Sequence, residues 1–416
     1  MSYKRLGDYI RQVNVRNKNL ETEILLGVSI TKKLIPSIAN IIGTDMSVYK
    51  IIKKRQFAYG TVTSRNGDKI SIALSDQYDK ALVSQIYIVF EVIDSEELLP
   101  EYLMMWFSRP EFDRYVRFHS HGSTRETFDW ADMCEVELPI PSIEEQRQIV
   151  AQYHSITNKI KVNEEICEKL EAAAQALYKH WFVDFEFPIP STSNPELVEG
   201  YKSSGGTMVW NEELGKEIPE GWEVKSLEAI TKLITDGKHG NSDDEFQSGY
   251  YFISAKDILN EMIDYSNARQ ITYKDFKETH KRTDLKTGDI LITNSGTIGK
   301  IAYVFEDKLN SKTTFQKSVA ILKPTIDSQF FFQAIKNNIR ELIELAGGST
   351  QSNLLLGDLK TFKILVPLNN VITYYSNKNN LIIKESYLLK KQNQKLRQLQ
   401  SLLLSRLAVG EEVKAS

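Results

Sequence analysis

The side chains that could do chemistry fall in a few short stretches. Ser295-Gly296-Thr297-Ile298-Gly299-Lys300 has the residue types of a phosphate-binding loop. Its spacing does not fit, because that loop needs Gly at 294 and Ser or Thr at 301, where the chain has Asn294 and Ile301. The stretch reads as a β-hairpin turn that hydrolyses no nucleotide, although its amides and Lys300 suit a nucleic-acid phosphate. His119 and His121 sit in a polar loop at 119–125 with no Cys or carboxylate at zinc spacing. That loop reads as solvated or nucleic-acid-facing, not as a metal site. Lys50, Lys53, Lys54 and Arg55 form a basic cluster that fits either a solvated face or a phosphate contact. No dinucleotide glycine fingerprint follows a strand, and no Gly-x-Ser-x-Gly, His-Glu-x-x-His or Asn/Asp-Pro-Pro-aromatic motif occurs. The chain carries no catalytic constellation and is expected not to be an enzyme.

Composition narrows the class further. A chain of 416 residues suggests two to three domains, and 41% hydrophobic with 10% aromatic residues is enough for packed cores. There is no apolar run of about 18 residues, and the start MSYKRLGDYIRQ lacks the apolar centre of a signal peptide. The two cysteines, Cys134 and Cys167, form no CxxC pair, which fits a reducing cytoplasm. The formal net charge is −3, so any nucleic-acid contact must come from local patches or be shared with partners.

These stretches need elements to position them. Residues 1–140 read as mixed α/β, with β-rich runs at 28–30, 57–63, 69–74 and 84–92, and a helix at 100–118 broken at Pro110. Residues 186–220, with Pro188, Pro190, Pro195 and Pro219, read as a surface linker. A second mixed domain starts at Gly221-Trp222, with β-rich runs at 250–254, 289–293, 300–305 and 317–322 and a helix from about Ser328 to Leu345. The two halves repeat. An offset of 226 aligns Gly122-Ser123-Thr124 with Gly348-Ser349-Thr350, Asp132 with Asp358, Pro141 with Pro367 and Leu177 with Leu403, without a gap.

Each half ends in a long heptad helix. Over 142–185 the positions Ile149, Tyr153, Ile156, Ile160, Asn163, Cys167, Leu170, Ala174, Leu177 and Trp181 alternate steps of four and three. Ser142 is the expected N-cap, with Glu145 at the capping-box position. Near the C-terminus Tyr375, Ile382, Leu389, Leu396 and Leu403 are seven apart, interleaved with Asn379, Ser386, Asn393, Gln400 and Leu407. The simplest partner for each seam is the other. Setting Asn163 against Asn393 in antiparallel register places Ile149 opposite Leu407 and Trp181 opposite Tyr375. Charge agrees: 142–185 carry seven acidic and five basic side chains, and 368–409 carry seven basic and one acidic. Helices of this length would run roughly 60 Å and hold the two domains tens of ångströms apart. An ordinary dimerisation coiled coil is the other reading.

Several of these residues resemble one known family. The chain is similar, over nearly its whole length, to the specificity subunit of type I restriction-modification systems. The carriers are Leu138-Pro139-Ile140-Pro141 with Glu144-Glu145-Gln146, the helix ending Ala176-Leu177 to Phe182, and Gly288-Asp289-Ile290-Leu291-Ile292 with Ser295-Gly296-Thr297-Ile298-Gly299. Ile218-Pro219-Glu220-Gly221-Trp222 and Leu402-Leu403 to Gly410-Glu411 add to them. The resemblance implies a mixed α/β fold with two target-recognition domains, at 1–140 and 221–366. Two antiparallel spacer helices at 141–186 and 367–411, and a linker at 187–220, complete it. It implies a non-catalytic subunit that reads a bipartite, gapped site in double-stranded DNA and docks two methyltransferase subunits, with restriction subunits joining the complex. S-adenosylmethionine, ATP and magnesium would belong to those partners. A coiled-coil scaffold without DNA specificity is the alternative.

Expected DNA contacts are loop residues with suitable donors. They are Arg65, Asn66, Lys69, His119, Ser123 and Arg125 in the first domain, and Lys238, His239, Lys256, Asn294, Ser295, Lys300 and Gln351 in the second. The chain departs from the family after Pro367, where it reads Leu-Asn-Asn-Val-Ile instead of a second Glu-Glu-Gln start. A second methyltransferase would then dock through different contacts from the first.

Overall fold

A computed structural model of the protein describes residues 3–38, 43–64, 66–122, 125–189, 199–347 and 353–408. The chain divides into two compact units, residues 1–163 with 391–416 and residues 164–390. The division runs through both long helices, Ile143–Tyr178 and Asn369–Arg406, so each unit holds a segment of each.

In the first unit four antiparallel strands lie in the order Ile10–Val13, Ile88–Val92, Phe57–Tyr59, Ile72–Leu74. Their side chains alternate between two faces. Phe57, Tyr59, Ile72, Phe90 and Val92 enter a core with helices Pro100–Phe107 and Pro110–His119, where Phe57 stacks on Phe90 at 4.8 Å. Each helix starts on a proline, whose missing N–H is an orphan at that position anyway. The intervening Ala58, Ala73 and Val89 face a second sheet through Leu26, Val28, Ile52, Ala81 and Val83. That sheet runs Leu34–Pro36, Leu25–Val28, Lys80–Val83, Lys50–Lys53, with its middle pair parallel. The basic cluster at 50–55 is thus an edge strand and its turn, and lysines on an edge discourage pairing with other chains.

The second unit has the same plan. Strands Thr231–Asp236, Val319–Pro324, Ile290–Thr293 and Ile301–Tyr303 form an antiparallel sheet in that order. Ile290, Ile292, Ala320 and Leu322 pack on helix Ser328–Asn337, while Leu291, Ala302, Val319 and Ile321 face Ile253 and Phe315 of a second sheet. There Tyr251–Ile253 and Thr313–Phe315 are again parallel, with Arg269–Gln270 outside. Helix Tyr273–Thr283 packs on Thr313–Phe315, through His280 Nδ1 on the Thr313 carbonyl at 3.1 Å and the Thr283 and Thr314 hydroxyls at 3.2 Å. It takes the place that the fourth strand, Lys50–Lys53, holds in the first unit. The helix expected over 328–345 divides at Asn338 into Ser328–Asn337 and Ile339–Glu344, where the Asn338 side-chain Nδ2 donates to the Ala334 carbonyl at 2.8 Å and caps the end of the first piece.

The segment expected to be a linker is folded where it is described. Met208–Asn211 pairs with Lys216–Pro219, and Pro188–Ile189 with Glu199–Gly200. Phe187 and Ile218 are buried, and Phe187 packs on Tyr201 at 4.5 Å and Trp222 at 5.1 Å. A few aromatic anchors hold it, too widely spaced to show a period. Pro190 and Pro195 lie outside the described residues.

The long helices pair antiparallel in each unit. In the first, Asn163 Nδ2 donates to Asn393 Oδ1 at 2.8 Å, Gln400 Nε2 donates to Thr157 Oγ1 at 2.7 Å, and Ile149 and Tyr153 pack near Leu404 and Leu407. In the second, Cys167 Sγ donates to the Ser386 carbonyl at 3.7 Å and the rings of Trp181 and Tyr375 lie 5.6 Å apart. The heptad positions Ile149, Ile156, Asn163, Leu170, Leu177, Ile382, Leu389, Asn393, Leu396 and Leu403 are all buried or half-buried. The Ser142 hydroxyl accepts the Glu145 amide at 3.3 Å and caps the first helix.

Candidate nucleic-acid interface

In the first unit the chain leaves strand Phe57–Tyr59 through a turn built on Asn66. The Asn66 amide donates to the Thr63 carbonyl at 2.9 Å, its side chain donates to the Val62 carbonyl at 3.2 Å, and Gly67 supplies the positive φ. This turn lies against residues 119–128: Thr63 N bonds Glu126 O at 3.0 Å, and Phe128 N bonds Thr61 O at 2.8 Å. The second loop is closed on itself by reciprocal bonds between His121 and Thr127. Two expected contact loops are therefore one surface. Lys69 and Arg125 project from it exposed. His119 is held at the helix end, with Nδ1 donating to the Tyr115 carbonyl at 2.9 Å and its ring 4.0 Å from that of Tyr115. Arg65 and Ser123 lie outside the described residues.

The second unit builds the same surface from different side chains. Ile290–Thr293 runs into a turn closed by Gly299 N on Thr293 O at 2.9 Å. Gly299 has φ +86°, and a Cβ there would lie 2.4 Å from Ile343, so glycine is required. Leu354 N bonds Asn294 O at 2.9 Å and Ser295 bridges Asn353, which tie this turn to the loop after Glu344. Ser318 O accepts the Asn294 amide at 3.0 Å, and Lys238 O accepts the Lys317 amide at 3.1 Å. Residues 238–239, 256, 294–300 and 316–318 thus gather at one end of the domain. Gln351 lies outside the described residues.

Not every cation there is free. Lys238 Nζ is paired with Asp275 at 2.5 Å and Glu278 at 3.3 Å, and the Asp275 bond helps hold its ammonium charged by raising its pKa. Lys300 Nζ donates to the Ala255 carbonyl at 3.2 Å. Both are tied to other loops and helices of their own unit. His239 is exposed and its Nε2 donates to Asp236 Oδ2 at 2.8 Å. Lys256 is exposed. So is Lys317, which the sequence reading passed over because it sits at the start of a β-rich run. Asn294 is only 8% exposed and its Oδ1 has no hydrogen-bond partner, leaving an acceptor unused beneath this surface.

The correspondence between the units reaches single bonds. His121–Thr127 becomes Gly347–Asn353 at an offset of 226. Asp132 Oδ2 accepts the Asp129 amide at 3.1 Å, and Asp358 Oδ2 accepts the Leu355 amide at 3.2 Å, again 226 apart. Among the described residues no three His, Cys, Asp or Glu side chains are grouped to hold a metal ion, and no helix is long and apolar enough to cross a membrane.

The family of the type I restriction modification DNA specificity domain matches this chain twice, over residues 15–172 and 219–399. The chain belongs to that family. The specificity subunit of the MjaIX type I restriction enzyme from Methanocaldococcus jannaschii is 28% identical over 332 residues, covering 77% of this chain and 71% of that one. The HindI specificity subunit from Haemophilus influenzae is 24% identical over 420 residues, 90% of each chain. The crystal structure of a type I restriction-modification S subunit from M. genitalium shares the fold, with a TM-score of 0.57 at 13% identity over 99% of this chain and 96% of that one. The loop surfaces described above thus belong to a specificity subunit, whose task is DNA sequence recognition within a restriction-modification complex.

Proposed function

We propose that each unit reads one half of a bipartite, gapped site in double-stranded DNA, and that the paired helices fix the number of unread base pairs. The observation that carries this is the loop surface built twice on one scaffold with different side chains. Lys69 and Arg125 project in the first copy, and Lys256, Lys317 and the buried Asn294 occupy the second. Two distinct surfaces on a repeated frame suit two distinct half-sites, and helices shared by both units would set half-site separation as dimer spacing does in other DNA readers. A net charge of −3 fits a subunit that shares phosphate contacts with partners.

Those partners are methyltransferase and restriction subunits. The outer side of the second long helix leaves Tyr374, Leu381 and Leu388 exposed in the second unit, and Leu399 and Leu402 in the first. Uncovered apolar side chains at near-heptad spacing support helix-mediated docking of two methyltransferase subunits. In this reading S-adenosylmethionine, ATP and magnesium are held by the partners, and the chain itself catalyses no step.

Mapping methylated bases in cells that express the complex, before and after residues 1–140 are exchanged for those of another specificity subunit, tests the reading. One half-site should change and the other persist. A change in both halves, or in neither, overturns the modular assignment. Methylation of DNA by the purified chain alone would overturn the non-catalytic one.

A further inference from the structure

We infer that Glu261 is a positioning residue: it clamps the second recognition domain to its helix segments at one angle, and so holds the DNA gap to a single length. This rests on the bipartite reading above. Glu261 and Asn260 form the two-residue turn between Ile258–Leu259 and Met262–Ile263, with φ of 63° and 51°. Such a turn needs positive φ at both central positions, and glycine is the usual second residue. A glutamate stands there at an energetic cost.

Its carboxylate is bound from two directions. Lys390 of the second long helix donates to it at 2.9 Å, and Lys336, from helix Ser328–Asn337, is also ion-paired to it. Lys336 in turn pairs with Glu171 of the first long helix, at ion-pair distance without an aligned hydrogen bond to either carboxylate. One hairpin tip is thereby linked to both long helices. The Phe305 ring stacks on Tyr387 at 3.8 Å beside it.

The domain is also anchored elsewhere, through Tyr178, Phe182, Phe330 and Tyr375, whose rings pack at 4.8–6.3 Å. Tyr375 and Lys390 are fifteen residues apart on one helix, which is roughly 22 Å at 1.5 Å per residue. Two anchors at that distance fix an orientation; without Glu261 the distal one keeps only the Lys336–Glu171 pair and the Phe305–Tyr387 stack, and the aromatic anchor becomes a pivot. A rotation of about 9° about that pivot moves a point about 22 Å away by about 3.4 Å, the rise of one base pair. Loss of the clamp should therefore loosen gap length and leave the bases read unchanged.

The test uses the complex assembled with its methyltransferase subunits, and duplexes carrying both half-sites with the native gap or one base pair more or fewer. In Glu261→Gly the carboxylate is lost while the turn gains the residue it favours, so the domain stays folded. Wild type should methylate one gap, and the variant should lose about ten-fold of that discrimination, equivalent to about 1.4 kcal/mol. Lys390→Met removes the same link from the helix side and should relax the gap likewise. Glu261→Gln keeps an oxygen for Lys390 and should restore part of the discrimination. Unaltered gap discrimination in the folded Gly and Met variants overturns the clamp, as does a changed base preference in the second half-site. If wild type itself shows no gap preference, the bipartite reading fails, and the clamp with it, before any variant is compared.

Discussion

The side-chain oxygen of Gln146 accepts the Leu99 amide at 2.8 Å, and its Nε2 donates to the carbonyls of Glu97 and Pro141 at 2.8 and 2.9 Å. Gln146 is fully buried. The Glu-Glu-Gln start of the first long helix therefore ends in a fastener between helix and domain, and only Glu144 of the three faces fully into solvent. At the matching offset the second copy has Ile372, also buried. The departure after Pro367 is thus, at this position, a change of core chemistry from polar to apolar.

Gln146→Leu should destabilise the first unit by about 3 kcal/mol, because Leu99 N and two carbonyls lose their buried partner. Glu144→Gln should leave stability within about 0.5 kcal/mol. Urea unfolding of both variants checks this. Once corrected for folded fraction, methyltransferase binding by Gln146→Leu should match wild type; a loss of binding at full stability would make Gln146 a docking residue instead.

The Asn163–Asn393 pair predicts a strong coupling. Asn163 also donates to Gln392 Oε1 at 2.7 Å, and Asn393 Nδ2 donates to the Ile160 carbonyl at 3.2 Å. Asn163→Leu leaves the buried Asn393 Oδ1 without its donor and should cost about 1–3 kcal/mol. Replacing both by Leu should recover that loss, since an apolar layer is often as stable as a buried polar pair. A double-mutant cycle read by thermal melting gives the coupling. Additive single effects would mean that the two amides act independently.

What was legible in the sequence follows from range. The helix pair was readable because a seven-residue period persists through Ile149, Asn163, Leu177 and their counterparts, and one polar layer suffices to set register. The duplication was readable because Asp132 and Asp358 do the same local work, each capping the amide three residues before it. Strands of three or four residues, such as Tyr3–Arg5 and Leu34–Pro36, are too short to display alternation and were missed. Long-range partners were invisible as well. Lys238 resembles any loop lysine until Asp275, thirty-seven residues later, is folded against it. Glu261 lies in no motif, and its meaning comes from lysines on two other elements.

Glu261 also gives a pH dependence. Burial disfavours its charged form, but the Lys336 and Lys390 ammonium groups outweigh burial and hold the carboxyl below its ordinary value of 4.5. The unfolded chain takes up this proton first as pH falls, so over that window the unfolded state binds more protons and stability declines. The contribution is fully present above 4.5 and is lost as pH falls through the lower folded value. The stabilisation of wild type relative to Glu261→Gly, read from urea midpoints, should be largest near about pH 6 and shrink progressively as pH falls below 4.5. A constant difference across that range would assign the effect to the turn backbone and not to the carboxylate.

The exposed and the paired cations should separate in salt titrations of DNA binding by the assembled complex. Lys69, Arg125, Lys256 and Lys317 are exposed at the two loop surfaces. Each of them that meets a phosphate releases counterions, so its alanine variant should weaken binding and flatten the log–log salt slope by about 0.9. Lys238 is engaged by Asp275 and Glu278 within the protein. Lys238→Ala should leave the slope at its wild-type value and lower the melting temperature instead, because Asp275 loses its cation while the DNA loses nothing. A slope change for Lys238→Ala equal to that of Lys256→Ala would show that the ion pair opens to release Lys238 when DNA binds.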